Sequence, residues 1–531
     1  MNDLLGVLIR FRQRKVAIVA DIEAMFHQVR MIDSDRDVLR FLWWENGNLD
    51  AQPKEYRMCV HLFGATSSPC CSSKALKQTA DDNEKQNEVG KMAIETIRTG
   101  FYVDDCLSSV ESIDVAKHLV QRLSGILSEG GFRLTKWLSN NRDVLDSIDE
   151  SERAPSVSLF LDELPTERTL GVCWDAGSDS FTFQLTPKDK PMTRRGLLSV
   201  TSSVFDPLGI AAPFVLLARS LLQEVCRRGA DWDQPLTEDE KKTWTQWLDR
   251  TSILSQVSVP RWVKLDITTA VQMHIFCDAS EKGYAAVAYF RIEPDGKKPT
   301  VEFIIGRARV TPLKLVTIPR LELMAAVLAA TLDSTIRREL SYSINETVYW
   351  SDSMIVLSYI RNENRRYKTF VANRVSKILS ESSKHQWRHV PTKENPADEG
   401  SRGTYELGKW LTGPDFLYKD EAYGKRRWRQ VQYLANIFWT RWKKEYLPLL
   451  QKRHKWTTPR QNVEVCDIVL LVDETMPRGR WPMGKVISVY KGKDGKVRSV
   501  DVKIAGGVLK RPIAKLCIIY RGSIAKDVNH C

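Results

Sequence analysis

The tetrapeptide Tyr102-Val103-Asp104-Asp105 constrains the chain more than any other stretch. It lies between Gly100-Phe101 and Cys106-Leu107, so it reads as a tight hairpin carrying two adjacent acids at its tip. Carboxylates placed this close repel one another unless water or a cation neutralises them. The turn is therefore either a solvated corner or a place for a divalent metal. A second run, Val16-Ala-Ile-Val-Ala-Asp21-Ile22, reads as a buried strand with an acid near its end. Asp21 costs desolvation there unless it is paired or binds metal. Asp21, Asp104 and Asp105 together can surround two Mg2+ ions, which prefer carboxylate oxygens.

A second set of acids follows the same rule. Residues 271–290 read as strand, turn and strand, with Asp278 ending the first apolar run. Ile318-Pro319-Arg320-Leu321-Glu322 opens an Ala/Leu-rich helix, with proline favoured at the start and Glu322 expected in the first turn. Thr347–Ser351 reads as a strand followed by Asp352, and Asn395-Pro396-Ala397-Asp398 follows a short strand through His389. Four acids at strand ends and helix starts can converge at one edge of a sheet. His385 and His389 have H-x3-H spacing but no cysteine pair, so zinc is not expected.

At 531 residues the chain is long enough for several domains, and its 43% hydrophobic content is that of a globular protein. The ten cysteines show no C-x-x-C pair, which reads as reduced, intracellular thiols. No apolar run approaches a membrane span, so no membrane partner is expected. The net charge of +13 is uneven: residues 421–531 hold 24 Lys+Arg against 9 Asp+Glu, a surplus of 15. An anionic partner, nucleic acid first, is expected there.

Five segments in order resemble the catalytic motifs of reverse transcriptases: Asp21 to Val29, Leu62-Phe-Gly64-Ala-Thr-Ser-Ser-Pro69, the Tyr-Val-Asp-Asp turn, Gly130 to Trp137, and Leu170-Gly-Val-Cys-Trp174. The later acids resemble those of a retroelement RNase H. The whole chain is similar to a fragment of a Pao/BEL-type LTR retrotransposon polyprotein. This resemblance implies that Asp21, Asp104 and Asp105 hold the polymerase metals. It makes Phe26 the gate that selects deoxynucleotides, Gly64 a close approach to the nucleotide, and Lys136 a cation for pyrophosphate departure. Asp278, Glu322, Asp352 and Asp398 would hold two Mg2+ or Mn2+ ions roughly 3.5–4 Å apart. The implied partners are RNA–DNA hybrids, DNA and RNA, deoxynucleoside triphosphates, and other element-encoded chains.

The fold expected is α/β and α+β in several domains. Residues 1–150 would be a palm with truncated fingers, whose polymerase activity alone should be weak or silent. Residues 151–265 would be a thumb or connection, in the region classified as the A17 aspartic peptidase. The candidate Asp206-Pro207-Leu208-Gly209 lacks the Asp-Thr/Ser-Gly pattern, and Trp232, Trp244 and Trp247 read as helix packing. Residues 266–405 would be RNase H-like and 406–460 a basic, Trp-rich helical linker. Residues 461–525 would form an SH3-like barrel of the integrase C-terminal type, without an integrase core. Its expected nucleic-acid contacts are Arg478, Arg480, Lys491, Lys493, Lys496 and Arg498, of sequence-tolerant, salt-sensitive kind. The function expected is RNA-directed DNA polymerase with ribonuclease H activity. The alternatives are a catalytically inactive nucleic-acid-binding remnant and an aspartic peptidase.

Overall fold

The computed structural model describes residues 2–84, 88–154, 158–160, 171–184, 190–265, 270–293, 298–362, 366–419, 437, 441, 462–471 and 481–522. The chain forms two compact units, Met1–Lys419 and Asp420–Cys531. It is a mixed α/β protein with several separate sheets.

The first sheet has Val16–Ile22 at its centre, between Asp105–Val110 and Leu134–Ser139, with Phe101–Tyr102 at one edge. All pairs are antiparallel. The apolar run 16–20 makes the central strand because it can be buried on both faces. The helices Ser68–Asp82, Glu88–Thr99 and Ile113–Glu129 cover one face, with Leu76, Ala80, Ala93, Ile97, Leu119, Leu123 and Leu127 facing Ile18, Ala20 and Cys106. Between the first strand and these helices, Arg40–Trp43 and Lys54–Arg57 form a two-stranded ribbon that leaves Leu42 and Trp43 exposed.

The largest sheet is five-stranded and mixed. Its order is Thr300–Val310, Gly283–Glu293, Ala270–Ala279, Glu346–Ser351, Trp387–His389. The first three strands are antiparallel, and the last two join in parallel. A parallel neighbour needs a long crossover, and the helix Ile318–Glu339 supplies it. That helix buries Leu321, Leu323, Ala325, Ala326, Leu328, Ala329 and Leu332 over one face. His389 ends the last strand, as the sequence implied.

The other face carries the helices Arg194–Ser203 and Ala212–Arg227, with Phe214 in the same core as Tyr289, Phe303 and Trp410. Trp244 and Trp247 are buried and stacked at 5.0 Å, as expected of helix packing. Trp232 is not: it is exposed, with the Arg194 guanidinium 4.1 Å above its ring. A small antiparallel sheet, Val259–Pro260, Ser180–Gln184, Gly171–Asp175 and Ser158–Phe160, completes this unit. It contains the hairpin expected from Gly171-Val-Cys-Trp174; Leu170 lies outside the described residues.

The second unit holds a five-stranded antiparallel ladder in the order Gly507–Pro512, Val497–Ile504, Met483–Lys491, Ile468–Leu471, Leu516–Tyr520. The SH3-like barrel expected here is not shown. The two end strands are joined by the 3-10 turn Ile513–Lys515 and do not pair with one another among the described residues, so the ladder is open. The basic helix expected around residues 426–444 lies outside the described residues, apart from Ile437 and Arg441. The nine described cysteines are free thiols, and no described helix is long and apolar enough to cross a membrane.

Asp206 is held by backbone donors at a helix start. Its carboxylate accepts the N–H groups of Ile210 (2.9 Å) and Ala211 (2.8 Å) at the start of the helix Ala212–Arg227. Burial pushes its pKa up, while those N–H groups and Arg307 pull it down. The neighbouring Gly209 has φ +72°, and a Cβ there would lie 1.9 Å from the Gly306 carbonyl oxygen. Gly209→Ala should therefore destabilise the first unit by about 2–4 kcal/mol, read as a lower denaturant midpoint with an unchanged slope.

Candidate active sites

Two acidic sites form, each where a strand ends. In the first sheet, Asp21 and Asp105 stand opposite one another in the antiparallel register. Asp104 is in the two-residue turn, and its carbonyl accepts the Ile22 N–H at 3.0 Å. The turn is strained, because Val103 has φ +56°, a conformation β-branched residues rarely adopt. Strain of this kind is stored where the surroundings fix a functional geometry.

Lys136 reaches the same acids through a bulge. Its φ is +54°, and the pairing with the central strand shifts register between Val19 and Asp21. Its Nζ lies 3.3 Å from Asp21 Oδ2. Burial, then the charges of Asp104 and Asp21, push Asp105 up to about 7, and Lys136 opposes this. Burial also raises Asp21, with Lys136 pulling it down and Asp104 pushing it up. Phe26 is nearly buried and meets the exposed Phe63 edge-on at 4.8 Å. Gly64 follows with φ +88° and open space where a Cβ would stand. Phe63 was not singled out from the sequence, although it sits inside the motif beside Gly64.

The second site lies at one end of the mixed sheet. Asp278 is buried at the end of Ala270–Ala279, and Asp352 follows the adjacent parallel strand Glu346–Ser351. Burial pushes Asp278 up to about 7; the Ser401 hydroxyl lowers it, and the charges of Asp352 and Asp398 raise it further. Glu322 is also raised, by burial first and by Asp352, against the Ser353 hydroxyl. The four acids thus share one electrostatic neighbourhood. One expectation needs correction: Glu322 is the fifth residue of its helix and lies in the second turn, because the helix already begins at Ile318 with Pro319 second.

Hydroxyls and one amide hold this site in place. Ser401 donates to Asp278, Ser353 donates to Glu322, and Thr392 donates to Asp352 at 2.7 Å. Asn395 is fully buried and donates to the Cys277 carbonyl at 3.1 Å, tying the turn before Asp398 to the strand that carries Asp278. Arg402 pairs with Asp398 at 2.6 Å. Sequence reasoning named the acids and missed these partners. The spacing Asp398 to Ser401, one helical turn, was the available signal.

The donor chemistry of both sites fits a hard divalent cation: each is a set of carboxylates, of which Asp21, Asp105, Asp278 and Glu322 are raised by burial and by the charge of their neighbours. The positions are not those of a closed ligand set. Among the described residues, no group of three or more His, Cys, Asp or Glu side chains is gathered tightly enough to hold one ion.

In the second unit, Lys491, Lys493, Lys496 and Arg498 are exposed around the turn that joins two long strands. Arg498 also pairs with Asp494 at 2.7 Å. Arg478 and Arg480 lie outside the described residues.

Residues 193–353 match the family described as Pao retrotransposon-like RNaseH-like domain. The likeness to Pao retrotransposons rests on this segment, less than a third of the chain. The match contains Asp278, Glu322 and Asp352, and it begins with the helices that pack on the mixed sheet. Residues 426–519 match a family of unknown function, DUF5641. No curated protein matches the chain. Similar solved structures include the foamy viral protease-reverse transcriptase dRH in complex with double-stranded DNA. It is 16% identical, with a TM-score of 0.44, over 74% of this chain and 60% of that one. Another is the foamy viral protease-reverse transcriptase in complex with an RNA/DNA hybrid, 13% identical with a TM-score of 0.44, over 96% and 55%. The chain thus spans less than two thirds of the length of either.

The raised pKa of Asp278 has a consequence for stability. Its folded-state value of about 7 exceeds its ordinary value of 3.8, so the folded state binds the proton more tightly. Stability from this group therefore falls as pH rises from about 4 to about 7 and stays low above that. In metal-free buffer, Asp278→Asn should be more stable than the parent at pH 8 by on the order of 2 kcal/mol. The difference should vanish near pH 4, as read from urea midpoints at the two pH values.

Proposed function

We propose that the chain is a retroelement nucleic-acid enzyme whose principal activity is ribonuclease H: hydrolysis of the RNA strand of an RNA–DNA hybrid. The observation that carries this reading is the approach of Asp278, Glu322, Asp352 and Asp398 to one end of the mixed sheet, three of them inside the segment that matches the Pao RNaseH-like family. Those four acids would hold two Mg2+ or Mn2+ ions, which activate water and stabilise the leaving oxygen when bound. Ser401, Ser353 and Thr392 orient three of the carboxylates by hydrogen bonds. Asn395 fixes the turn that brings the fourth. Choice of the hybrid would come from contacts to 2'-hydroxyls across its minor groove.

The first sheet is proposed as a reverse-transcriptase-type palm. Asp21, Asp104 and Asp105 would be its metal ligands, and Phe26, buttressed by Phe63, would bound the sugar of an incoming deoxynucleotide. Gly64 would leave room for that nucleotide, and Lys136 would stay beside its phosphates. Lys491, Lys493, Lys496 and Arg498 would attract nucleic acid to the second unit without reading its sequence. An intracellular place, in a particle or the nucleus, belongs to the same proposal.

One observation favours the alternative of an inactive nucleic-acid-binding remnant: Lys136 and Arg402 already engage Asp21 and Asp398. The two readings part on a single assay. The purified chain with a labelled RNA–DNA hybrid and Mg2+ should cut the RNA strand, and Asp278→Asn should lower the rate by on the order of 1,000-fold. Hybrid binding without metal-dependent cleavage by the parent would leave the remnant. Primer extension should be weak in the parent and lost in Asp104→Asn; extension insensitive to that substitution would remove the palm assignment.

A further inference from the structure

The first fifteen residues do not belong to the N-terminal sheet alone. The helix Leu4–Phe11 is buried on nearly all sides: Val7, Leu8, Ile9 and Phe11 are inaccessible to solvent. Val7, Leu8 and Phe11 share a core with Trp174, Phe181 and Phe303. Ile9 belongs to a different core, with Val263, Ile305 and Ile336 under the long helix. An eight-residue helix is marginal by itself, so tertiary packing must hold it.

Polar contacts repeat the pattern. The Arg12 guanidinium donates to the carbonyls of Arg261 and Pro260 (both 3.1 Å) and of Ile304 and Phe303 (both 2.7 Å). Arg261 answers with donors to the carbonyls of Phe11 (2.6 Å), Arg14 and Lys15 (both 2.8 Å), and pairs twice with Asp179. Gln13 bonds the Glu339 carbonyl and accepts the Ser341 N–H. Arg10 pairs with the Glu339 carboxylate. Toward the first sheet the same residues make a second set of contacts: Asn2 donates to the Phe101 carbonyl, Arg10 to the Thr99 carbonyl, Ser109 donates to the Arg10 carbonyl and accepts the Arg14 N–H, and Arg14 pairs with Glu111.

We infer that residues 2–15 are a docking element that seats the N-terminal sheet on the body formed by residues 171–419, and that this seat does not need the covalent connection. A chain cut between Phe160 and Gly171 stays one particle, and a 1–160 piece fits a separate 171–531 piece by the same contacts, with the pairing of Ser158–Phe160 to Gly171–Asp175 beside them. The partner is therefore the RNase H-like body itself, recognised by its ring of backbone carbonyls around one buried guanidinium. This inference is independent of whether either acidic site is active.

The test is to insert a site-specific protease sequence between Phe160 and Gly171 of the full chain, cut it under native conditions, and measure mass. Both pieces should run together at about 1 µM protein, the affinity range of an extensively buried interface. Separate elution of the two pieces would overturn the inference. Arg12→Met, cut in the same way, should dissociate with an affinity lowered on the order of 100-fold, while the uncut variant keeps the parent's circular dichroism. If uncut Arg12→Met does not fold, Glu339→Gln at the rim serves instead, with about a tenfold loss expected. Unchanged affinity in the folded variant would show that these contacts do not make the seat. The readout is mass, so an absence of nuclease activity would count against the proposed function and leave this inference standing.

Discussion

The structure of the first unit depends on two buried arginines that hold one another's chain segments. Taking a guanidinium out of water is unfavourable unless its donors find acceptors. Arg12 meets that condition with four carbonyls, and Arg261 with three carbonyls and the Asp179 carboxylate. Burial lowers the Arg12 pKa to about 10, so it stays charged at neutral pH. Removing either side chain would leave several buried carbonyls without a donor, which is more costly than losing a surface pair. The central strand of the first sheet starts at Val16, directly after these contacts. Its position relative to the RNase H-like segment is therefore set before the strand begins.

Both acidic sites rest on the same physical device. A carboxylate is placed at the end of a buried strand, and a second and third are brought to it by a turn or a helix start. Burial and like charge then raise Asp105 and Asp278 to about 7. Local cations and hydroxyls hold the acids: Lys136 at one site, Ser401 and Arg402 at the other. Backbone strain at Val103 and Lys136 and the buried Asn395 are the structural means by which the acids are kept close. Folding stability is lowered locally where the acidic chemistry is concentrated.

Much of this was legible in the sequence because it is local. An apolar run ending in an acid announces Asp21 and Asp278; Pro319 announces the helix carrying Glu322; the hairpin around Asp104 needs only four residues. The holding contacts were not legible. Arg12 and Arg261 look like ordinary surface cations, and only a contact across about 250 positions of chain gives them meaning. Trp232 was read as core because tryptophans usually are, yet it is exposed under Arg194. The closed barrel expected of the last unit depended on which strand ends meet, and alternation of residues says nothing about closure.

The pairing of Asp21 with Asp105 is fixed by six successive residue pairs of one antiparallel ladder, from Val16–Val110 to the acids themselves. Side-chain substitutions along that ladder alter its stability but cannot move one carboxylate relative to the other. A single inserted or deleted residue can, because it turns every side chain beyond it to the opposite face. The hazard to this site is thus a change in length rather than in letter. Residues along strands 16–22 and 105–110 can change and still leave the acids face to face, so long as no residue is inserted or deleted within either strand.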